Sequence, residues 1–456
     1  MNPRRLVKKL IPRNLFAKVE PYGHLIEAMI AQALNGFPAK DLVVIGVTGT
    51  DGKTSTATFI HQLLVSNGYK SSMMSTISVD YGDGQGLKPN PTRMTVMDVS
   101  DLVRSIKKIK ATGTKYLVLE TTSHALAQRR VWGIPYSIAV LTNIYHEHLD
   151  YHKTFNNYLN AKLRMFQQTD SNKKGYRVGI INDEDKYATK FVKSIKNPIT
   201  YGIKSGDITA SDIKISASGS TYAAKINGDI YHITCNIPGT FNISNSLAAI
   251  LVGRTLGLSV KQIEKGIAEL KSVEGRMTYV DEGQNFGVIV DYAHTPDSFE
   301  VVFKEAKKIT NNRIIVVFGS AGRRDEEKRS IQGEIAGEYC DIVIATEEDD
   351  RDVDGEEILS QIAKGAEKAG KELSQNLFLI HDRTRAVAKA IDMAKPGDLV
   401  LLLGKGHEKS ILTNGPQATK MRHLLQDDTD ARRVIKKDYD EVTVARDCLK
   451  KSLKRD

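Results

Sequence analysis

The 456-residue chain sets 65 Lys and Arg against 55 Asp and Glu, a net charge of +10, with 41% hydrophobic and 26% charged residues. That balance excludes intrinsic disorder, collagen-like repeats and a disulfide scaffold, and the length predicts about two to four domains. Cys235, Cys340 and Cys448 form no CxxC pair, which argues against a zinc site and predicts a reducing, cytoplasmic setting. The longest apolar runs, such as residues 399–403, fall well short of the roughly 18–20 needed to cross a bilayer, and no signal-peptide pattern follows the basic start.

Residues 1–19 carry Arg4, Arg5, Lys8, Lys9, Arg13 and Lys18 without an acid, interleaved with Leu6, Leu10, Leu15 and Phe16. They read as a short basic helical segment, 1–39, with either a solvated face or a weak contact with an anionic membrane surface. Strand-like runs then alternate with helical patterns. Residues 42–47 precede a helix from Thr54, residues 116–120 follow a helix over 99–111, and residues 137–141 form a further strand, the signature of a parallel α/β sheet. From about 207 to 238 the pattern turns to alternation with turn residues, which predicts a small antiparallel insert, and a helical stretch over 243–270 follows. Strands at 287–290, 313–318, 341–345 and 398–403 separated by helices predict a second, Rossmann-like domain. The expected fold is therefore α/β: a central P-loop-type ATPase domain with a parallel sheet and a small antiparallel insert (40–272), a Rossmann-like C-terminal domain (273–436) and a charged tail (437–456). Ligands are expected in the cleft between the two domains.

The apolar run Val43–Val47 leads directly into Thr48, Gly49, Thr50, Asp51, Gly52, Lys53, Thr54 and Ser55. Backbone N–H groups in such a turn, with the positive end of the following helix, cradle phosphate oxygens; Lys53 would meet the β/γ-phosphates and Thr54 would reach Mg²⁺. The general P-loop spacing would need glycine at 47, where this chain has Val47, so the signal is GTDGKT. ATP is the expected nucleotide, since no guanine-specifying motif is evident. Two later strands end in Glu120-Thr121-Thr122-Ser123-His124 and in Thr142-Asn143-Ile144-Tyr145-His146-Glu147-His148. In an open parallel sheet both segments emerge on the edge that carries the phosphate loop, so Glu120 and His148 can face the metal. Lys162 lies on a helix and, taken alone, is a solvated lysine.

Together the segments GVTGTDGKTST, ETTSHALAQRR, LTNIYHEHLDYH, NYLNAKLRMF, GTFNISNSLAA, EGRM, DYAHTPDS, FGSAGRRDEEKR and GKGHE resemble the Mur ligase family, ATP-dependent amide-forming enzymes of bacterial cell-wall synthesis, over nearly all of residues 40–435. The resemblance implies that Gly49, Thr50, Asp51, Gly52, Lys53, Thr54 and Ser55 bind ATP phosphates and that Glu120 and His148 hold Mg²⁺. Lys162 matches a lysine that the family carbamylates, turning a cation into a carboxylate able to bind a second Mg²⁺. By the same matching, Asn242, Asn245, Arg276, Asp291, His294 and Lys328 serve the nucleotide, and Thr95, Thr122, Gln128 and Arg130 the nucleotide-sugar substrate. The implied partners are a nucleotide-sugar peptide and an amino acid, acted on by a monomer.

Two departures bear on specificity. Such family members usually carry a separate N-terminal UDP-binding domain, whereas this phosphate loop begins at Gly49, so that domain is expected to be missing or reduced and the acceptor could be a related nucleotide or a lipid-linked precursor. Where diaminopimelate-adding members read D-N-P-R, this chain reads Glu348, Asp349, Asp350 and Arg351. Arg351 and Arg324 can grip a carboxylate bidentately, the extra acids would favour a cationic amine, and Gly404 and Glu408 match contacts with the far end of diaminopimelate. The expected substrate is a diamino acid, diaminopimelate or lysine. The competing readings are a ligase of the superfamily with another acceptor, such as a folylpolyglutamate-like one, and a catalytically silent nucleotide-binding scaffold. Nucleic-acid binding is not expected, because no aromatic-interleaved basic module is present.

Overall fold

The computed structural model describes residues 13–92, 94–145, 147–414 and 434–454; Arg4, Arg5, Lys8 and Lys9 of the basic segment lie outside them. The chain forms two compact units. The first takes residues up to 213 together with 221–235 and 241–270, and the second takes 214–220, 236–240 and the chain from 271 onward.

In chain order the first unit runs α1 (Arg13–Leu34), β1 (Val43–Thr48), α2 (Lys53–Val65), β2 (Ser71–Met74), β3 (Ser78–Asp80), β4 (Lys88–Pro89), α3 (Val99–Ala111), β5 (Tyr116–Glu120), α4 (Ser123–Ala127), β6 (Tyr136–Leu141), α5 (Leu149–His152), α6 (Phe155–Ser171), β7 (Val178–Asn182), α7 (Ala188–Val192) and β8 (Asn197–Tyr201). A three-stranded meander follows, β9 (Thr209–Ser216), β10 (Gly219–Ile226) and β11 (Asp229–Cys235), where the alternating pattern predicts the insert. The helical stretch after it is two helices, α8 (Thr240–Thr255) and α9 (Val260–Glu269). The break falls at Ser259, which caps α9 in a capping box with Gln262.

The large sheet has the order β4-β3-β2-β5-β1-β6-β7-β8. Its strands from β2 to β8 are parallel, with β3 and β4 added antiparallel at one edge. β1 is buried on both faces from Val44 onward, as a central strand covered by helices must be. Gly46 in that strand is a packing requirement: a Cβ there would lie 2.6 Å from the Tyr136 ring and 2.8 Å from Met165 Sδ. Val47 pairs with Glu120, and Thr48 with Leu141. Three strands thus end level, and the loops after β1, β5 and β6 leave the same edge, at the point where the connections diverge to opposite sides of β1.

The second unit continues with β12 (Thr278–Tyr279), β13 (Gly287–Asp291), α10 (Pro296–Ile309), β14 (Ile314–Phe318), α11 (Glu327–Tyr339), β15 (Ile342–Ala345), α12 (Gly355–Lys368), β16 (Leu377–Leu379), α13 (Arg383–Met393), β17 (Leu399–Leu403), β18 (Ser410–Asn414), β19 (Val434–Asp438) and α14 (Glu441–Ser452). Its sheet order is β12-β13-β17-β14-β15-β16, parallel except for β12. Asp291 pairs with Leu403 and Phe318 with Ala345, so Asp291, at the end of β13, and the 346–352 loop and Gly404, which follow β15 and β17, lie at one edge of the sheet.

Candidate active site

In the first unit the site is built on the turn between β1 and α2. Gly52 caps the helix with φ 76°, a left-handed conformation that favours glycine, and a Cβ there would lie 2.6 Å from Asn245 Oδ1. Asn245 also accepts from Thr56 Oγ1 and donates to Asn242 Oδ1, so the two asparagines of α8 buttress the phosphate loop. The Thr50 and Asp51 amides donate to the Asn143 carbonyl and side-chain oxygens, each at 2.8 Å. That leaves the first turn of α2, from Lys53 through Ser55, to present the N–H groups a helix cannot bond internally, and these are the donors for an anion. Lys53 Nζ donates to the Thr50 carbonyl.

Beneath this loop Thr54 Oγ1 donates to Glu120 Oε2 at 3.0 Å, and Thr76 donates to the same carboxylate through its N–H and its hydroxyl. Glu120 is 1% exposed. Two oxygen ligands, Thr54 Oγ1 and Glu120, therefore sit side by side at the loop, a donor set suited to a hard cation such as Mg²⁺. Lys162, on α6, is 2% exposed. Its Nζ donates to the Gly49 carbonyl and lies 4.7 Å from the Tyr158 ring centroid. Burial, reinforced by the Lys53 charge, holds its pKa well below the usual lysine value. Tyr158, one turn earlier on α6, shares a 2.7 Å hydrogen bond with Thr50 Oγ1.

His148 stands apart from that carboxylate cluster in burial. It is exposed, has φ 55°, approaches Glu147 Oε2 at 3.5 Å and packs its ring edge-on to His124, centroids 4.6 Å apart. It lines a cavity of about 500 Å³ together with Thr95, Thr122, Gln128, Arg130 and His124, and with Glu20 and His24 of α1. All four residues that motif matching assigns to the nucleotide-sugar substrate are thus on one wall system. Thr95 bonds to Thr76 Oγ1 at 2.7 Å, which links the cavity to the Glu120 cluster through a single side chain.

The remaining sequence-predicted residues lie in the second unit. Asp291 accepts from the Met277 and Ala293 amides, and burial raises its pKa. The Arg276 guanidinium lies 5.2 Å from the Tyr292 ring centroid. Lys328 Nζ donates to the His294 carbonyl at 3.3 Å, and burial lowers the pKa of both side chains. In the acidic loop after β15, burial pushes Glu348 up to about 7 against the pull of Lys328, Lys405 and Arg383, and its Oε2 is buried with no hydrogen-bond partner among the described residues. Lys405, fully buried, pairs with Asp349 at 3.0 Å and Glu408 at 2.7 Å. Asp350 is taken by His381 at 2.6 Å and Asp352 by Arg323. Arg351 donates to the Gly322 carbonyl, Arg324 is exposed, and Gly404 has φ 103°. The acid excess is therefore smaller than the bare sequence count implies. Sequence reasoning missed Lys405, although it lies inside GKGHE, and it missed Thr76, Tyr158, Glu20 and His24. Of these, Lys405, inside GKGHE, and Tyr158, one turn from Lys162 in NYLNAKLRMF, carried a signal.

Two family models cover most of the chain: the Mur ligase middle domain matches residues 47–253, and the Mur ligase glutamate ligase domain matches residues 275–406. The chain belongs to the Mur ligase family. It is 40% identical over 409 residues to the UDP-N-acetylmuramyl-tripeptide synthetase of Borreliella afzelii (strain PKo), covering 88% of this chain and 79% of that protein. It is 35% identical over 406 residues to UDP-N-acetylmuramoyl-L-alanyl-D-glutamate–2,6-diaminopimelate ligase 1 of Clostridium acetobutylicum (strain ATCC 824), covering 88% and 80%. Among solved structures, a UDP-N-acetylmuramoyl-L-alanyl-D-glutamate–2,6-diaminopimelate ligase aligns with TM-score 0.68 and 28% identity over 95% of this chain and 83% of that one. This Mur ligase is thus an ATP-dependent, amide-bond-forming enzyme. No helix among its described residues is long and apolar enough to cross a membrane.

Proposed function

We propose that this Mur ligase adds an amino acid to a UDP-N-acetylmuramoyl-dipeptide-like precursor in peptidoglycan synthesis, working as a cytoplasmic monomer whose basic N-terminus touches the membrane surface. The acceptor carboxylate takes the γ-phosphoryl group of ATP, and the amine of the amino acid then displaces phosphate, so one ATP is split per amide formed. The observation that carries the reading is the convergence of Lys53, Thr54, Glu120 and Lys162 on one loop, beside the cavity lined by Thr95, Thr122, Gln128 and Arg130.

Lys53 and the first turn of α2 would hold the phosphates, and Thr54 with Glu120 would hold a Mg²⁺ ion, with His148 reaching it from the cavity side. The bound ion supplies charge neutralisation as negative charge gathers on the transferring phosphoryl group. As ammonium groups, the partly buried Lys53 on the loop and the buried Lys162 on α6 against it would oppose a second cation. Lys162 held neutral is, however, a nucleophilic amine able to add CO₂, and the resulting carbamate is a carboxylate with the charge a second Mg²⁺ needs. By motif match, Asn242 and Asn245 of the first unit and, separately, Arg276, Asp291, His294 and Lys328 of the second are assigned to the nucleotide.

The amino acid is read as a diamino acid, with Arg324 and Arg351 on its carboxylate. The distal amine is assigned to Glu408 and Gly404 by motif match; Glu408 shares Lys405 with Asp349, and its side chain is the more exposed of the two, 36% against 14%. Phosphate release measured with a panel of amino acids, against UDP-linked and lipid-linked muramoyl dipeptides, tests the reading. Release that requires both a diamino acid and the UDP-linked acceptor is expected. A silent scaffold would release no substrate-dependent phosphate, and a lipid-only response would reassign the acceptor.

A further inference from the structure

Helix α1 has two apolar faces, one packed on α3 and the other largely exposed among the described residues, where the Arg129 guanidinium lies 5.3 Å from the Tyr22 ring centroid. Ala28 and Ala31 are buried against Val99 and Val103 of α3, with Trp132 packed on the same cluster. Tyr22, Ile26, Met29, Ile30 and Leu34 are 47% to 79% exposed. At about 100° per residue Tyr22, Ile26, Met29 and Ile30 fall within one arc about 100° wide, Leu34 extends it, and the arc lies opposite Ala28 and Ala31. Phe37, just beyond the helix, is 40% exposed but turns its ring toward Trp132, centroids 6.4 Å apart, and so belongs to the packed side. Scattered surface apolar residues need no explanation, but a continuous stripe of large ones marks a contact.

Charge decides what that contact is. The same end of the chain, residues 1–19, carries six cations and no acid. A second copy of this chain on the stripe would bring two such runs together, which like-charge repulsion opposes. An anionic lipid surface attracts them, and an apolar stripe with an adjoining basic run is the two-signal combination that holds a protein in the plane of a bilayer interface.

We propose that α1 is an in-plane docking element that seats its exposed stripe in an anionic lipid surface. Glu20 and His24, which line the cavity, fall on the side of the helix that carries Ala28 and Ala31, so docking through the stripe leaves the cavity-lining side of α1 away from the lipid. The proposal deepens the membrane contact suggested for the basic N-terminus and does not depend on the ligase reading. The test is sedimentation of the full chain with phosphatidylcholine vesicles, with and without phosphatidylglycerol, for the native protein and for the triple variant Ile26→Ser, Ile30→Ser, Leu34→Ser. The expected result is binding that requires phosphatidylglycerol, weakens with salt and falls at least about tenfold in the variant, with unchanged phosphate release on soluble substrates. Failure to bind anionic vesicles would overturn the proposal, as would undiminished binding by the variant. A concentration-dependent dimer that the variant abolishes, without lipid binding, would assign the stripe to a second copy instead.

Discussion

Glu348→Gln isolates the cost of a buried carboxylate. Inside the fold this carboxyl titrates near 7 rather than at its ordinary 4.5, because burial outweighs three nearby cations. Between those two pH values the native state keeps a proton that the unfolded chain releases, so stability falls as pH rises through that window. At about 1.4 kcal/mol per tenfold change, the ionised group costs about 3 kcal/mol above pH 7. The amide cannot ionise and has nearly the same volume, so the variant should match the native protein at pH 4 to 5 and exceed it by up to about 3 kcal/mol at pH 8. Urea unfolding of both proteins at the two pH values reads the difference, which cancels every group the substitution leaves alone. An offset independent of pH, or a variant less stable at pH 8, would refute the electrostatic account of this loop.

Gly46→Ala should lower stability by about 1–3 kcal/mol, read as a drop in melting temperature, because its Cβ would meet Tyr136 and Met165, both fully buried; an unchanged melting temperature would contradict the packing argument. Arg351→Ala should raise KM for the amino acid about tenfold or more, about 1.4 kcal/mol, and leave KM for the acceptor alone; equal effects on both would remove its assigned role. Lys162→Ala should cut ligation by at least about 10²-fold, and a small carboxylic acid added to the assay should restore part of it. Rescue by a small amine and not by an acid would show that Lys162 acts as an ammonium group.

Strand periodicity and the turn chemistry of GTDGKT are local, so β1, β5 and β6 and the start of α2 were legible to within a residue or so. The edge strands β3 and β4 were not: they are three and two residues long, too short to carry a period. The break between α8 and α9 was missed because the apolar spacing runs across it, while Gly257, with φ 83°, ends α8 and Ser259 starts α9. At the site, strand order explains why Glu120 and the phosphate loop meet, and sequence could anticipate that. Sequence could not anticipate how charges cancel. The run from Glu347 to Asp352 reads as a strongly acidic surface, yet Lys405, His381 and Arg323, distant in sequence, each take one of its acids. Likewise the stripe on α1 is visible as apolar spacing, but which of its two faces stays exposed is fixed by the packing of Ala28 and Ala31 on α3.

Carboxylate activation by ATP at the β1 loop is tested most directly by following oxygen. With the acceptor's terminal carboxylate labelled with ¹⁸O, each turnover in the presence of ATP and amino acid should deliver one labelled oxygen to the released phosphate. Amide formation accompanied by unlabelled phosphate would contradict the account.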